Sequence, residues 1–388
     1  MQDTLVASGP CGTASVCDAQ RIEKAPTKKE NLLSNIQFLR FAAAFLVVIA
    51  HAPLAYFNVP ASLTHIGGFG VDIFFIISGF IIPFILFGGK YSREYIIPIS
   101  AKTFFLRRFF RIWPLYFLMT MLAMACIWLV SSGLFKPNPD LEFAYHPTRY
   151  DINMVLRSIS FTRFPESPAL AVGWTLQFEF MFYSIIAILM VFSARKMDTF
   201  IVCYAAIFLM AVLFLSSKFA PLSQYIPMVH LIGSPMMIEF LLGMTLYRLY
   251  SDNIFLPKWA ACTFGLAAIP LLLLIEIQEW FPGFAGQFYR AIVWGAIAFV
   301  IVWSALSLEG IIKTNKFFEL LGDASFSLYL VHWLLLPWVA HFYDVLGLYD
   351  DLGIFGSVFV YFSIAQALAI LVHLKIEKPM NRFFRKMA

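Results

Sequence analysis

Ten apolar stretches of about twenty residues, separated by polar connectors, dominate this 388-residue chain. A hydrocarbon layer ~30 Å thick takes about twenty helical residues to cross, so runs of this length predict transmembrane helices. A closed β-barrel needs only ~10-residue alternating segments, and the unbroken runs exclude it. The spans fall at about 36–57, 69–88, 112–131, 175–193, 199–217, 228–248, 257–277, 289–308, 324–342 and 353–375. Only 13% of residues are charged, against ~25% in soluble domains, and the fold class this predicts is an all-α polytopic transmembrane bundle.

Lysine and arginine set the expected orientation. With the N-terminus inside, 22 of the 28 basic residues fall in inside segments, among them the runs Lys90 to Arg111 and Lys375 to Lys386. Lys136, Arg149, Arg157, Arg163, Lys218 and Arg290 fall outside. That excess puts both termini in the cytoplasm. The net charge of +5 then records topology and contact with the lipid bilayer, and nucleic acid is not an expected partner. Residues 1–33 read as a disordered cytoplasmic tail without the apolar h-region of a signal peptide, and 34–388 as one membrane domain. The longest connector, about 132–173, is expected outside. Five cysteines show no ligand spacing, so no metal is expected, and glycine-rich nucleotide loops are absent.

The chemistry is expected where ionisable residues enter the apolar runs, because charge there is costly. Arg40 and His51 share the first run, NIQFLRFAAAFLVVIAHAPLAYF. On a helix they lie about 20° apart on one face and ~16 Å apart along it. His51 falls near the outer end of its span, Asp72 near the outer start of the second, and Glu179 in the first turns of the fourth. An imidazole oriented by a carboxylate is a general-base arrangement, so these three are candidate catalytic residues; the competing reading is a polar network that locks helices together. On the inner side Arg108 and Arg111, three apart, make a pair of planar cationic forks suited to phosphate, with Arg40 at the same level. Juxtamembrane arginines also serve simply as anchors. Glu239, in the middle of the sixth span, must find a partner, and Tyr329 and His332 put a hydroxyl and an imidazole into the ninth; these three are candidate substrate-binding residues. Ser78 and Gly79 read as helix packing, and His230 and His373 as core.

From Asn35 to Arg385 the chain resembles the acyltransferase family three group of integral membrane enzymes. The carriers are the R-x10-H of Arg40 and His51, the VD-x-FF-x-x-SGF around Asp72 and Ser78, and the R-x-x-R of Arg108 and Arg111 followed by IWPLY. GWTLQFEFMFY, EFLLG, LGDASFSLYLVHW and the E-x-P of Glu377 and Pro379 come next, in order. Thr175 stands where Ser is commoner, and Gln177 and Phe178 depart from the usual residues before Glu179. The resemblance implies a multi-pass protein of the bacterial inner membrane and an acyl-CoA donor, usually acetyl-CoA, taken from the cytoplasm, with no resident cofactor. It also implies a hydroxyl acceptor on a surface polysaccharide or lipid-linked glycan, an essential His51 and Arg40, and CoA contacts from Arg108 and Arg111. Tyr145, Arg149, Arg163 and Glu166, in the long connector, are candidate acceptor contacts. A transporter or flippase for a lipid-linked sugar or organic anion is the alternative, disfavoured by the absence of repeat symmetry.

Overall fold

The computed structural model describes residues 33–52, 55–59, 66–88, 99–134, 152–192, 196–278, 287–311 and 315–387. The expected tail over 1–33 lies outside these except for Leu33, as do Tyr145 and Arg149. Among the described residues all regular structure is helical.

The chain runs α1 (Ser34–Ala50), α2 (Phe69–Phe87), α3 (Ala101–Ser131), α4 (Ile152–Ile159), α5 (Trp174–Val191), α6 (Met197–Leu215), α7 (Met228–Ile232), α8 (Met237–Ser251) and α9 (Lys258–Ile277). A π turn (Arg290–Trp294) leads into α10 (Gly295–Ser307), and α11 (Lys316–Asp323), α12 (Ser325–Leu346) and α13 (Leu348–Val372) come after it. A second π turn (His373–Glu377) joins α13 to α14 (Lys378–Arg385). Eight helical segments among the described residues are long and apolar enough to cross a membrane. Two expected spans hold shorter helices: α1 has 17 residues, and α8, after the break at α7, has 15.

Burial divides the bundle into centre and periphery. The apolar windows of α2 and α12 are each 72% buried, whereas that of α6 is 17% buried and turns its side chains outward, as lipid-facing helices do. α1 joins the centre through Ala43, Ala44, Val47 and Val48, all at 1% exposure or less. Small residues allow this closeness. A Cβ on Gly70 of α2 would stand 2.1 Å from the Ala43 carbonyl oxygen of α1, and one on Gly79 would stand 2.3 Å from the Phe240 oxygen of α8. Membrane helices pack through such glycines because apolar burial itself gives little drive in lipid. The expected packing role of Ser78 and Gly79 holds for Gly79, while Ser78 also donates to Glu179 Oε1 at 3.2 Å.

Glu309, just past α10, accepts from the backbone N–H groups of Ser34 (2.9 Å) and Asn35 (3.0 Å). Those N–H groups open α1 and have no intrahelical acceptor, so the carboxylate caps the helix and complements its dipole. Burial lifts the Glu309 carboxyl above the usual carboxylate range, against the pull of these N–H groups.

The connector expected as an external loop is in its described part a packed wedge. Trp113 Nε1 of α3 donates to the Ile159 carbonyl at 2.9 Å, and the Tyr116 hydroxyl to that of Ser158 at 3.3 Å. Phe161 stacks on Tyr116 and Phe180, at 5.2 and 4.8 Å between ring centroids. Aromatic residues after α4 supply the burial that draws this segment between α3 and α5.

Candidate functional site

α1 carries a distinct polar site at each end. At its N-terminal end Arg40 lines a cavity of about 480 Å³ with Arg107, Arg108 and Arg111 of α3, and Lys378, Arg382 and Arg385 of α14. The volume is that of a small-molecule site. Seven cations face two carboxylates, Asp323 and Glu377, and none of the seven forms an ion pair among the described residues. Arg107 and Arg108 each bury an Nε without a hydrogen-bond partner. Glu377 is already engaged, accepting from Ser327 Oγ at 2.7 Å and pairing with His373 Nδ1 at 2.8 Å. Arg40 Nη1 donates to Gln37 Oε1 at 3.1 Å, but the buried Nε–H groups of Arg107 and Arg108 lack an acceptor, and leaving a buried N–H unpaired costs more than the net gain of an ordinary hydrogen bond.

At the other end His51 stands just past the last turn of α1. Its Nδ1 lies 2.9 Å from the Val47 carbonyl oxygen, which can only accept, so this nitrogen carries the proton in the neutral ring. Nδ1 of His332 lies 3.0 Å from the Leu328 carbonyl oxygen and is protonated for the same reason. The His332 Nε2 lone pair then faces His51 Nδ1 at 3.3 Å. Every ring nitrogen has a role except His51 Nε2, which is left with a lone pair and no hydrogen-bond partner among the described residues. Trp333 holds the His51 ring edge-on at 5.1 Å. Among the described residues this is an oriented imidazole whose basic nitrogen has no partner.

The carboxylate expected to orient His51 is replaced by a histidine. Asp72, fully buried, is taken by Arg290, whose Nε lies 3.1 Å from Oδ1 and whose Nη2 lies 2.8 Å from Oδ2. Arg290 Nη2 also reaches the Gly68 carbonyl at 2.9 Å, and its guanidinium lies over Trp294 at 5.0 Å. Glu239, also fully buried, lies within electrostatic reach of this pair, but neither of its carboxyl oxygens accepts a hydrogen bond among the described residues. Glu179 does not pair with His51 among the described residues. It accepts from Ser78 and, in a short hydrogen bond, from Tyr183 one turn below, and it lies within electrostatic reach of Arg108 and Arg40.

Of the residues expected to bind substrate, Tyr329 is committed to the fold: its hydroxyl donates to the Val172 carbonyl at 2.8 Å and meets Thr175 Oγ1 at 2.8 Å. His332 is fully buried with both nitrogens engaged. Among the expected acceptor contacts, Arg163 Nε donates to the Ser167 carbonyl at 2.9 Å and Nη2 lies 3.5 Å from Glu166, which closes the wedge on itself. Arg290 and the cations of α14 entered the sequence reading only as topology markers. Their signals were depth for Arg290, level with Asp72, and helical spacing for Lys378, Arg382 and Arg385.

No solved structure matches the chain. It is 29% identical over 325 residues to the exopolysaccharide production protein ExoZ of Rhizobium meliloti (strain 1021), covering 82% of this chain and 90% of that protein. The acyltransferase domain of acyltransferase family 3 matches residues 33–374, nearly the whole helical bundle including both ends of α1. With that match over its apolar helices, the chain belongs to the family and is a membrane acyltransferase.

Proposed function

We propose that the protein transfers an acyl group, acetyl in the simplest case, from cytoplasmic acyl-CoA to a hydroxyl of an exported polysaccharide, with His51 as general base. One observation carries this reading. A single helix holds an arginine in a cationic cavity at one end and, ~16 Å along the same face, an imidazole with an open Nε2 at the other. A long, thin donor with phosphates at one end and a thioester at the other matches that layout. The kinship with ExoZ supports an exopolysaccharide acceptor.

In the proposed reaction the phosphates rest among Arg40, Arg108 and Arg111, and the pantetheine arm runs up the bundle interior past Ser78 and Glu179. His51 Nε2 removes the acceptor hydroxyl proton as that oxygen attacks the thioester carbonyl carbon. The C–S bond then breaks, and the imidazolium returns the proton to the departing thiolate, giving an ester and free CoA. The protonated ring donates from Nδ1 to Val47 and His332, which helps to stabilise the charge formed on His51. Holding both substrates in a near-attack geometry supplies much of the rate.

The test is release of CoA thiol from acetyl-CoA by membranes holding wild type, Arg108→Ala or His51→Ala, with acceptor present. Arg108→Ala should raise KM with kcat largely kept, and His51→Ala should abolish kcat. Thiol release unchanged in both variants would refute the assignment.

A further inference from the structure

Resting on the donor reading above, we propose that α14 forms the second wall of the donor site and selects the 3′-phosphomonoester of coenzyme A, leaving the pyrophosphate to the arginines of α3. Lys378, Arg382 and Arg385 are spaced four and three apart, so they share one face of α14, and all three line the cavity opposite Arg107, Arg108 and Arg111. α14 is docked rather than dangling, since Phe384 stacks on Phe110 of α3 at 4.8 Å with the rings 8° apart. The π turn His373–Glu377 inserts one residue and rotates α14 by on the order of 100° relative to a continuous helix. That turn is pinned from inside by Ser327 and His373 on Glu377, so the cationic face has a fixed heading.

Charge argues for two phosphates. A pyrophosphate bridging two esters carries about two negative charges and is matched by the pair Arg108 and Arg111. A phosphomonoester adds about −1.5 to −2 at neutral pH and needs its own cations. The cavity offers them, because seven unpaired cations exceed what a pyrophosphate alone neutralises and Glu377 is already held by its neighbours. Asn381, between Lys378 and Arg382, adds a buried side-chain oxygen without a hydrogen-bond partner, suited to a ribose hydroxyl beside the phosphate. An anionic lipid headgroup carries the same phosphate chemistry, so the test excludes anionic lipid.

Full-length protein in uncharged-lipid nanodiscs is given acetyl-CoA or acetyl-3′-dephospho-CoA together with the exported polysaccharide of its host as acceptor, and KM and kcat for thiol release are measured for wild type, Arg382→Gln/Arg385→Gln and Arg108→Gln. Arg382 and Arg385 are exposed, so the double variant keeps its fold, which monodispersity on size exclusion verifies. The wild type should show a KM roughly ten to a hundredfold higher for the dephospho donor at similar kcat. The double variant should raise KM for acetyl-CoA by a similar factor and change the dephospho donor less than about twofold, while Arg108→Gln weakens both donors. Equal wild-type KM for the two donors, or equal loss for both in the double variant, overturns the proposal and leaves the donor reading standing. Turnover of neither donor by wild type overturns both.

Discussion

Replacing His332 by glutamine separates the catalytic base from the residue that positions it. The wild-type contact, His332 Nε2 to His51 Nδ1, is 3.3 Å, at the long end for a hydrogen bond, while Val47 still holds the same proton at 2.9 Å. The tautomer therefore survives the substitution, and one of the two hydrogen bonds to the ring is lost while the edge-on contact with Trp333 remains. A net hydrogen bond is worth about 0.5–1.5 kcal/mol, and at ~1.4 kcal/mol per decade the expected loss in kcat is about two- to twelvefold. Removing His51 itself eliminates general-base catalysis, worth about 10²- to 10⁴-fold. The assay is single-turnover thiol release at matched membrane levels of folded protein, comparing His332→Gln with His51→Gln. If His332→Gln is as damaging as His51→Gln, the proton passes through His332 and the assignment of the open Nε2 to His51 is wrong.

Asp72→Ala strands the Arg290 guanidinium in the bundle and should cost about 3 kcal/mol, the low end for a broken buried pair because the Arg290 side chain keeps 23% exposure; the detergent unfolding midpoint reads it. Gly79→Ala drives a methyl to 2.3 Å from the Phe240 oxygen and should destabilise by about 1–3 kcal/mol or more, whereas Gly265→Ala, whose Cβ would meet nothing closer than 3.5 Å, should be tolerated in the same thermal assay. Glu309→Ala uncaps α1 and should cost about 1 kcal/mol. Because burial raises the Glu309 pKa on folding, its proton-linked stability is full below the ordinary carboxylate pKa of ~4.3 and is lost as pH rises through the folded value, so Glu309→Gln should flatten that fall in a pH-stability profile.

The helices and the α1 axis of the site were legible because apolar length and the 3.6-residue period are local properties: ten residues between Arg40 and His51 suffice to put them on one face. Partners were not legible where they depend on long-range packing. His332 stands 281 residues from His51 and Arg290 stands 218 from Asp72, and no periodicity links such positions. Depth alone suggested that Asp72 and His51 would meet, but a deep arginine at the start of the eighth span satisfies the carboxylate better than a neutral imidazole does. The place of Glu179 in the second turn of α5 fixes the depth of its backbone but not the direction of its side chain. Its partner Tyr183 lies one turn further in and draws the carboxylate inward. The wedge at 152–170 was hidden because its aromatic residues gain meaning only against α3 and α5.

Acyl transfer dependent on His51 is measured by supplying radiolabelled acetyl-CoA to membranes of a polysaccharide-exporting host that hold equal amounts of folded wild type or His51→Ala. Both thiol release and label in the polymer are counted. A His51-dependent acyltransferase leaves label in the wild-type polymer, with one thiol released per acyl group incorporated, and neither with His51→Ala. Incorporation by His51→Ala at the wild-type rate would contradict it.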